Sequence, residues 1–101
     1  MRDERCSYLR RGEFRAAHYL DAERAYRLLL ASLRQDGDAR ERVTHEVGRC
    51  MNCYRGVLHT VVGTCTYLVT DGNHADAADA VAVIEQLLTD VIDERLRLHG
   101  L

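Results

Sequence analysis

Hydrophobic residues recur at intervals of three and four along most of the chain, and polar clusters break the rhythm at two internal places. The first periodic stretch predicts a helix from about Glu13 to Arg34, with Tyr19, Ala22, Tyr26, Leu29 and Leu33 as its inner stripe. Leu20 and Leu28 fall on the far side, flanked by Arg10, Arg24 and Arg27. A helix that is apolar on two sides is usually covered on two sides. In so short a chain the second cover is expected from another subunit. Gln35-Asp36-Gly37-Asp38 then stops the pattern. Gly37 suits a left-handed helix end, and Asp38 with Glu41 three residues later fits a capping box.

The longest periodic stretch runs from Asp38 to Thr70 and reads as one helix around which the rest is arranged. Val43, Val47, Met51, Tyr54, Leu58, Val61, Cys65 and Leu68 form its apolar seam. The opposite stripe carries Arg42, His45, Glu46, Arg49, Cys53, Gly56, Thr60, Gly63, Thr64 and Tyr67. A glycine inside a helix costs about 1 kcal/mol against alanine. Two on one face, Gly56 and Gly63, point to a close approach by another helix or by a sugar-phosphate ridge. Thr70-Asp71-Gly72-Asn73 is the second break. A third helix follows from about Ala75 to Leu98, with Ala77, Val81, Ile84, Leu88 and Val91 as its seam. Asp76 and Asp79 near its start and Arg95, Arg97 and His99 near its end suit the helix dipole.

These elements predict an all-α fold. It has three antiparallel helices with a long central one, paired into a homodimeric helical bundle, in a single domain spanning residues 1–101. Residues 1–12 are a charged N-terminal arm or lead-in helix, with Tyr8 and Leu9 as the only sizeable apolar groups. The absence of proline agrees with an all-helical chain. A domain of 101 residues buries a modest core, and oligomerisation would steady it.

The charge balance adds an asymmetry. Net charge is −2, so the chain as a whole does not mark a nucleic-acid binder. All 14 basic residues are arginine, whose planar fork suits phosphate. Residues 1–56 hold twelve of them against nine acids, and residues 57–101 hold two against seven. The longest uncharged run, Gly56 to Thr70, is too short and too polar for a membrane span. The N-terminus lacks a signal-peptide pattern. A soluble intracellular protein with free thiols is the expectation.

Cys50 and Cys53 form a CxxC pair with His45 and His59 nearby. The pair resembles that of the zinc-binding anti-sigma factors, whose motif places a histidine four residues before the first cysteine so that all three ligands share a helix face. His45 is five before, which turns it about 140° from that face at ~100° per residue. A single CxxC without a second pair reads as small packed thiols, with no metal and no cofactor. A thioredoxin-like role needs the pair at a helix start, whereas here it falls mid-helix. No nucleophile motif and no phosphate-binding glycine loop is present. The acids Asp76, Asp79, Asp90, Asp93 and Glu94 read as a solvated helix face. These features point away from an enzyme and towards binding.

Arg42 and Arg49 share the outer stripe, with Asn52, Arg55, His59 and Thr60 on or beside it. Such a row can contact phosphates and 2′-hydroxyls without reading bases. The plainer reading is a solvated face with pairs such as Arg42–Glu46. Four short pieces add a resemblance. Arg40-Glu-Arg42 opens the long helix, Cys50-Met51-Asn52 lies in its middle, Ala80-Val-Ala-Val-Ile84-Glu85 follows the second turn, and Asp93-Glu-Arg-Leu-Arg97 lies near the end. In these pieces the chain resembles the nodavirus B2-type RNA-silencing suppressors. That family implies a homodimeric helical bundle that lays one face along double-stranded RNA in the host cytoplasm. It also implies a viral protein read from an overlapping frame, which fits the arginine-only composition. The family carries basic residues near Cys53 and Thr60, where this chain offers Arg49, Arg55 and His59 instead. On this reading Arg42 and Arg49 hold phosphates, Asn52 and Thr60 reach 2′-hydroxyls, and Arg10, Arg24 and Arg27 make edge contacts. The alternatives are a non-enzymatic helical protein–protein module and a zinc-binding regulatory bundle.

Overall fold

The computed structural model describes residues 4–70 and 77–100. All regular structure among them is helical: α1 (Glu4–Arg10), α2 (Phe14–Leu33), α3 (Gly37–Val47), α4 (Met51–Thr70) and α5 (Ala77–Leu98). None of these helices is long and apolar enough to cross a membrane. The turn expected at Asp71–Asn73 and the helix start at Ala75 lie outside the described residues.

The N-terminal arm is a docked helix. Tyr8 is buried against Ala16, Ala17 and Leu20, with Leu9 partly buried beside it. The Tyr8 hydroxyl donates to Glu4 at 2.7 Å, and its ring stacks on His99 from the far end of the chain. Gly12, at φ 74°, lets the chain reverse while the Glu13 N–H donates to the Tyr8 carbonyl at 2.8 Å. That is the Schellman closure of α1.

Helix α2, and not the stretch after it, is the organising element. All four other helices pack on it. Ala16, Ala17, Ala22, Ala25 and Ala31 are buried along its length, and such small side chains let neighbouring backbones come close. Its two apolar sides are therefore covered from within the chain, where sequence reasoning looked to a second subunit. Two ion pairs register α5 against α2: Arg34 with Glu85 at 3.2 Å and Arg95 with Glu23 at 2.7 Å. Since 34 meets 85 and 23 meets 95, the helices run antiparallel. Ile84 and Val91 are buried and Val81 and Leu88 half-buried, as the seam of the third helix predicts.

The turn after α2 differs in its details. Gln35, at φ 55°, takes the left-handed position, while the Asp36 N–H closes onto the Ala31 carbonyl at 2.8 Å. Gly37 is already helical. Asp36, not Asp38, caps α3, accepting from the Ala39 N–H at 3.0 Å.

The largest departure is the break in the expected long helix. Gly48 has φ 72° and ψ −142°, a conformation that side chains resist, and it ends α3. Arg49 and Cys50 follow as a turn, and the Tyr54 N–H donates to the Cys50 carbonyl to begin α4. The turn changes the phase of α4. Val43 and Val47 face inward as expected. In α4, however, Cys53, Val57 and Thr64 are buried, with Gly56 and Thr60 half-buried between them. Cys53, Gly56, Thr60 and Thr64 of the predicted outer stripe thus face inward, while Gly63 and Tyr67 of that stripe are exposed and Val61 of the predicted seam packs on the core. Substituting Gly48→Ala should cost about 1–3 kcal/mol, because the residue must hold a conformation open essentially to glycine alone. Urea unfolding monitored by circular dichroism measures that cost. A loss of only a few tenths would mean the chain can run straight through residue 48.

Candidate functional site

The change of phase leaves an apolar face on the surface. Met51 is 72% exposed, Leu58 59%, Val62 55% and Tyr54 39%. Their spacing of three, four and four puts them on one side of α4, and exposed Cys65 continues the line. Sequence reasoning placed Met51, Tyr54, Leu58 and Cys65 in the core seam. The pattern was legible, but its direction was not. Scattered exposed hydrophobics are ordinary, whereas these four are contiguous along one helix face. The row is also nearly free of charge. Across its 20 residues α4 has no carboxylate and a single arginine, Arg55.

Behind this face, α4 meets α2 through Gly56. A Cβ on Gly56 would lie 2.6 Å from the Asp21 Cγ, so only glycine fits. Gly63 was the second glycine expected to mark a close approach. A Cβ there would meet nothing within 4 Å, so nothing comes near it. Asp21 is buried and pairs with Arg5 of α1 at 2.7 Å. Burial pushes its carboxyl above the ordinary range, ahead of the downward pull of Arg5, Arg24 and His18. Thr60 and Thr64 return their hydroxyls to the carbonyls of Gly56 and Thr60 at 3.1 and 2.8 Å. Together with Tyr26, Gly63 and Leu87 they border a cleft of about 640 Å³.

The proposed RNA-contacting residues are dispersed by the same break. Asn52, Arg55 and His59 are exposed and border one shallow concavity together with Arg5 and Leu9. Arg42 is exposed on α3, beside a concavity shared with Arg27 and Arg40. Arg49 lies in the turn, on a different concavity with Arg10 and Cys50. Arg42 and Arg49 therefore do not sit on one straight helix, as the seven-residue spacing suggested. Thr60 is half-buried in the α2–α4 seam. Among the edge arginines, Arg10 is exposed, but Arg24 is buried and pairs with Glu46 at 3.2 Å. Arg27 holds the same carboxylate at 2.9 Å. Glu46 is thus engaged by α2, and the Arg42–Glu46 pair expected within the helix is not its bond.

A third feature joins residues far apart in sequence. The Cys6 sulfur lies 3.6 Å from that of Cys50 and 3.6 Å from that of Cys53. The CxxC pair is completed by α1, and neither His45 nor His59 belongs to the cluster. Cys50 is not mid-helix but immediately precedes α4. The Cys53 backbone N–H, the Cys53 and Cys6 side chains and the Asn52 N–H pull its thiol below the ordinary value. Sequence reasoning missed Cys6 because it searched for ligands near the pair in sequence. The one available signal was that the chain holds a third thiol in an otherwise charged arm.

Comparison with protein-family models, with curated proteins and with solved structures finds no match to this chain.

Proposed function

We propose that the protein is a non-enzymatic helical interaction module that pairs with a second copy of itself through α4. The observation that carries this is the exposed row Met51, Tyr54, Leu58 and Val62. A second copy is favoured as the occupant because the face is nearly neutral. An acidic or basic partner would find no counter-charge there, whereas two such faces bury no unpaired charge when they meet. A two-fold pairing of the same patch is also the commonest way for chains to associate. It adds apolar burial to a fold whose own core is rich in alanine. Sedimentation equilibrium at micromolar concentration tests the reading. A dimer is expected, and a monomer throughout would overturn it.

A second reading is sequence-independent binding of double-stranded RNA by that dimer, as in the suppressors the chain resembles. It is favoured by Arg42, Arg49 and Arg55, which are exposed and have no carboxylate partner among the described residues. Exposed Asn52 and His59 flank Arg55, and pairing would present every one of these groups twice. Phosphate contacts release counterions, so binding should weaken steeply with salt. In gel-shift titrations the protein should retain a short RNA duplex over the matching DNA duplex and single strand. Arg42→Gln with Arg49→Gln should reduce the salt slope by about 1 for every phosphate that is no longer held. Absence of any shift at low salt excludes RNA and leaves the pairing module standing.

A further inference from the structure

Cys6 of α1, Cys50 just before α4 and Cys53 in its first turn lie more than forty residues apart across the two elements, yet their sulfurs all fall within 4.8 Å of one another. We propose that these three thiols form a binding site for a soft divalent cation, with zinc the expected ion, in which α1 and the start of α4 are clamped together.

The spacing agrees with that chemistry. Zn–S bonds of about 2.3 Å at tetrahedral angles place neighbouring sulfurs about 3.8 Å apart. The two separations made by Cys6 are 3.6 Å. Thiolate ligands select zinc over harder ions such as magnesium and calcium. Cys53 is fully buried at the back of the site, while Cys6 and Cys50 are half-buried and border a concavity open to solvent. That opening supplies an entry path and room for a fourth ligand from solvent. His45 borders the same concavity without joining the cluster.

Charge is also provided for. Three thiolates around a dication leave one net negative charge. Arg10, Arg24 and Arg49 line the adjoining concavity together with Glu4 and Glu46, with Arg24 paired to Glu46 and Arg49 exposed. The exposed Cys65 stands apart from the cluster and serves as an internal control.

The test is a cobalt titration of the fully reduced full-length protein, followed by absorbance. One cobalt per chain should bind with thiolate-to-metal charge transfer and the intense visible bands of tetrahedral coordination, and zinc should displace it. Cys6→Ser and Cys50→Ser are chosen because both positions are half-buried. Each should weaken binding by at least roughly 10–100-fold, the range that even outer-shell changes produce. Cys65→Ser should leave it unchanged. Alkylation of the wild-type chain with mass analysis gives a readout that needs no variant. Zinc should protect Cys6, Cys50 and Cys53 and leave Cys65 reactive. Absence of charge transfer in the reduced protein would overturn the proposal. So would cobalt affinity that survives Cys6→Ser, or zinc that leaves all the thiols equally reactive. A chain that only forms a disulfide on oxidation and binds no metal once reduced would likewise overturn it.

Discussion

Gly56→Val is expected to remove most of the stability of the fold. The new Cβ would lie 2.6 Å from the Asp21 Cγ and 2.7 Å from its Oδ1, well inside van der Waals contact. A long, flexible side chain could swing clear, but Asp21 is short, buried and held 2.7 Å from Arg5. Moving its carboxylate breaks a buried ion pair, which costs about 3–5 kcal/mol when one charge is left without its partner. Backing α4 away instead opens the layer in which Cys53 and Val57 pack on Ala25. Either response consumes a large part of the roughly 5–15 kcal/mol that holds a domain together. Gly63→Ala is the matched control. Its backbone is helical and its surroundings are open. Alanine should therefore stabilise by about 0.4–1 kcal/mol, through helix propensity and a less flexible unfolded chain. Urea titrations of both variants against the wild type decide the matter. A cost below about 1 kcal/mol for Gly56→Val would mean that α4 does not approach α2 through this residue.

Leu58→Glu should dissociate the proposed dimer while leaving each chain helical. Leu58 is the middle of the exposed row and 59% open to solvent in the single chain, so a glutamate there is hydrated and harmless to the fold. In the proposed pairing the same position would lie at the centre of the contact. Burying an unpaired glutamate carboxylate in that apolar contact costs at least about 2 kcal/mol per chain. Two-fold symmetry places the change on both chains, so the loss is about 4 kcal/mol, close to a thousandfold in dissociation constant. Sedimentation should show the variant as a monomer where the wild type is expected to be a dimer, with the same far-ultraviolet circular dichroism. An unchanged dimer mass would remove α4 as the pairing face. Loss of helicity would place Leu58 in the core, contrary to its exposure.

How far these features were legible follows from the range of the forces behind them. Helix content was readable along the chain, since proline is absent and the three-four rhythm needs only neighbouring residues. The inward seam of α5 through Ile84 and Val91 was readable for the same reason, because no break interrupts it. The stop after Leu33 was legible as a cluster of turn-formers. Its detail was not, as Gln35 and Asp36 took the roles expected of Gly37 and Asp38.

Three matters were settled only when the chain packed. At Gly48 a single residue with positive φ turned the following helix about its axis. The rhythm of Met51, Tyr54 and Leu58 is the same whichever way that helix faces, so periodicity named the stripe and could not say that it pointed outward. Helix α2 became the hub because its alanines admit several close neighbours. That is a property of the space between helices and not of the pattern along one of them. Cys6 met Cys50 and Cys53 because docking of Tyr8 carries α1 onto α2 beside the start of α4. No local preference of the backbone records such a meeting between residues so far apart in the chain, and the candidate metal site exists only in the folded arrangement.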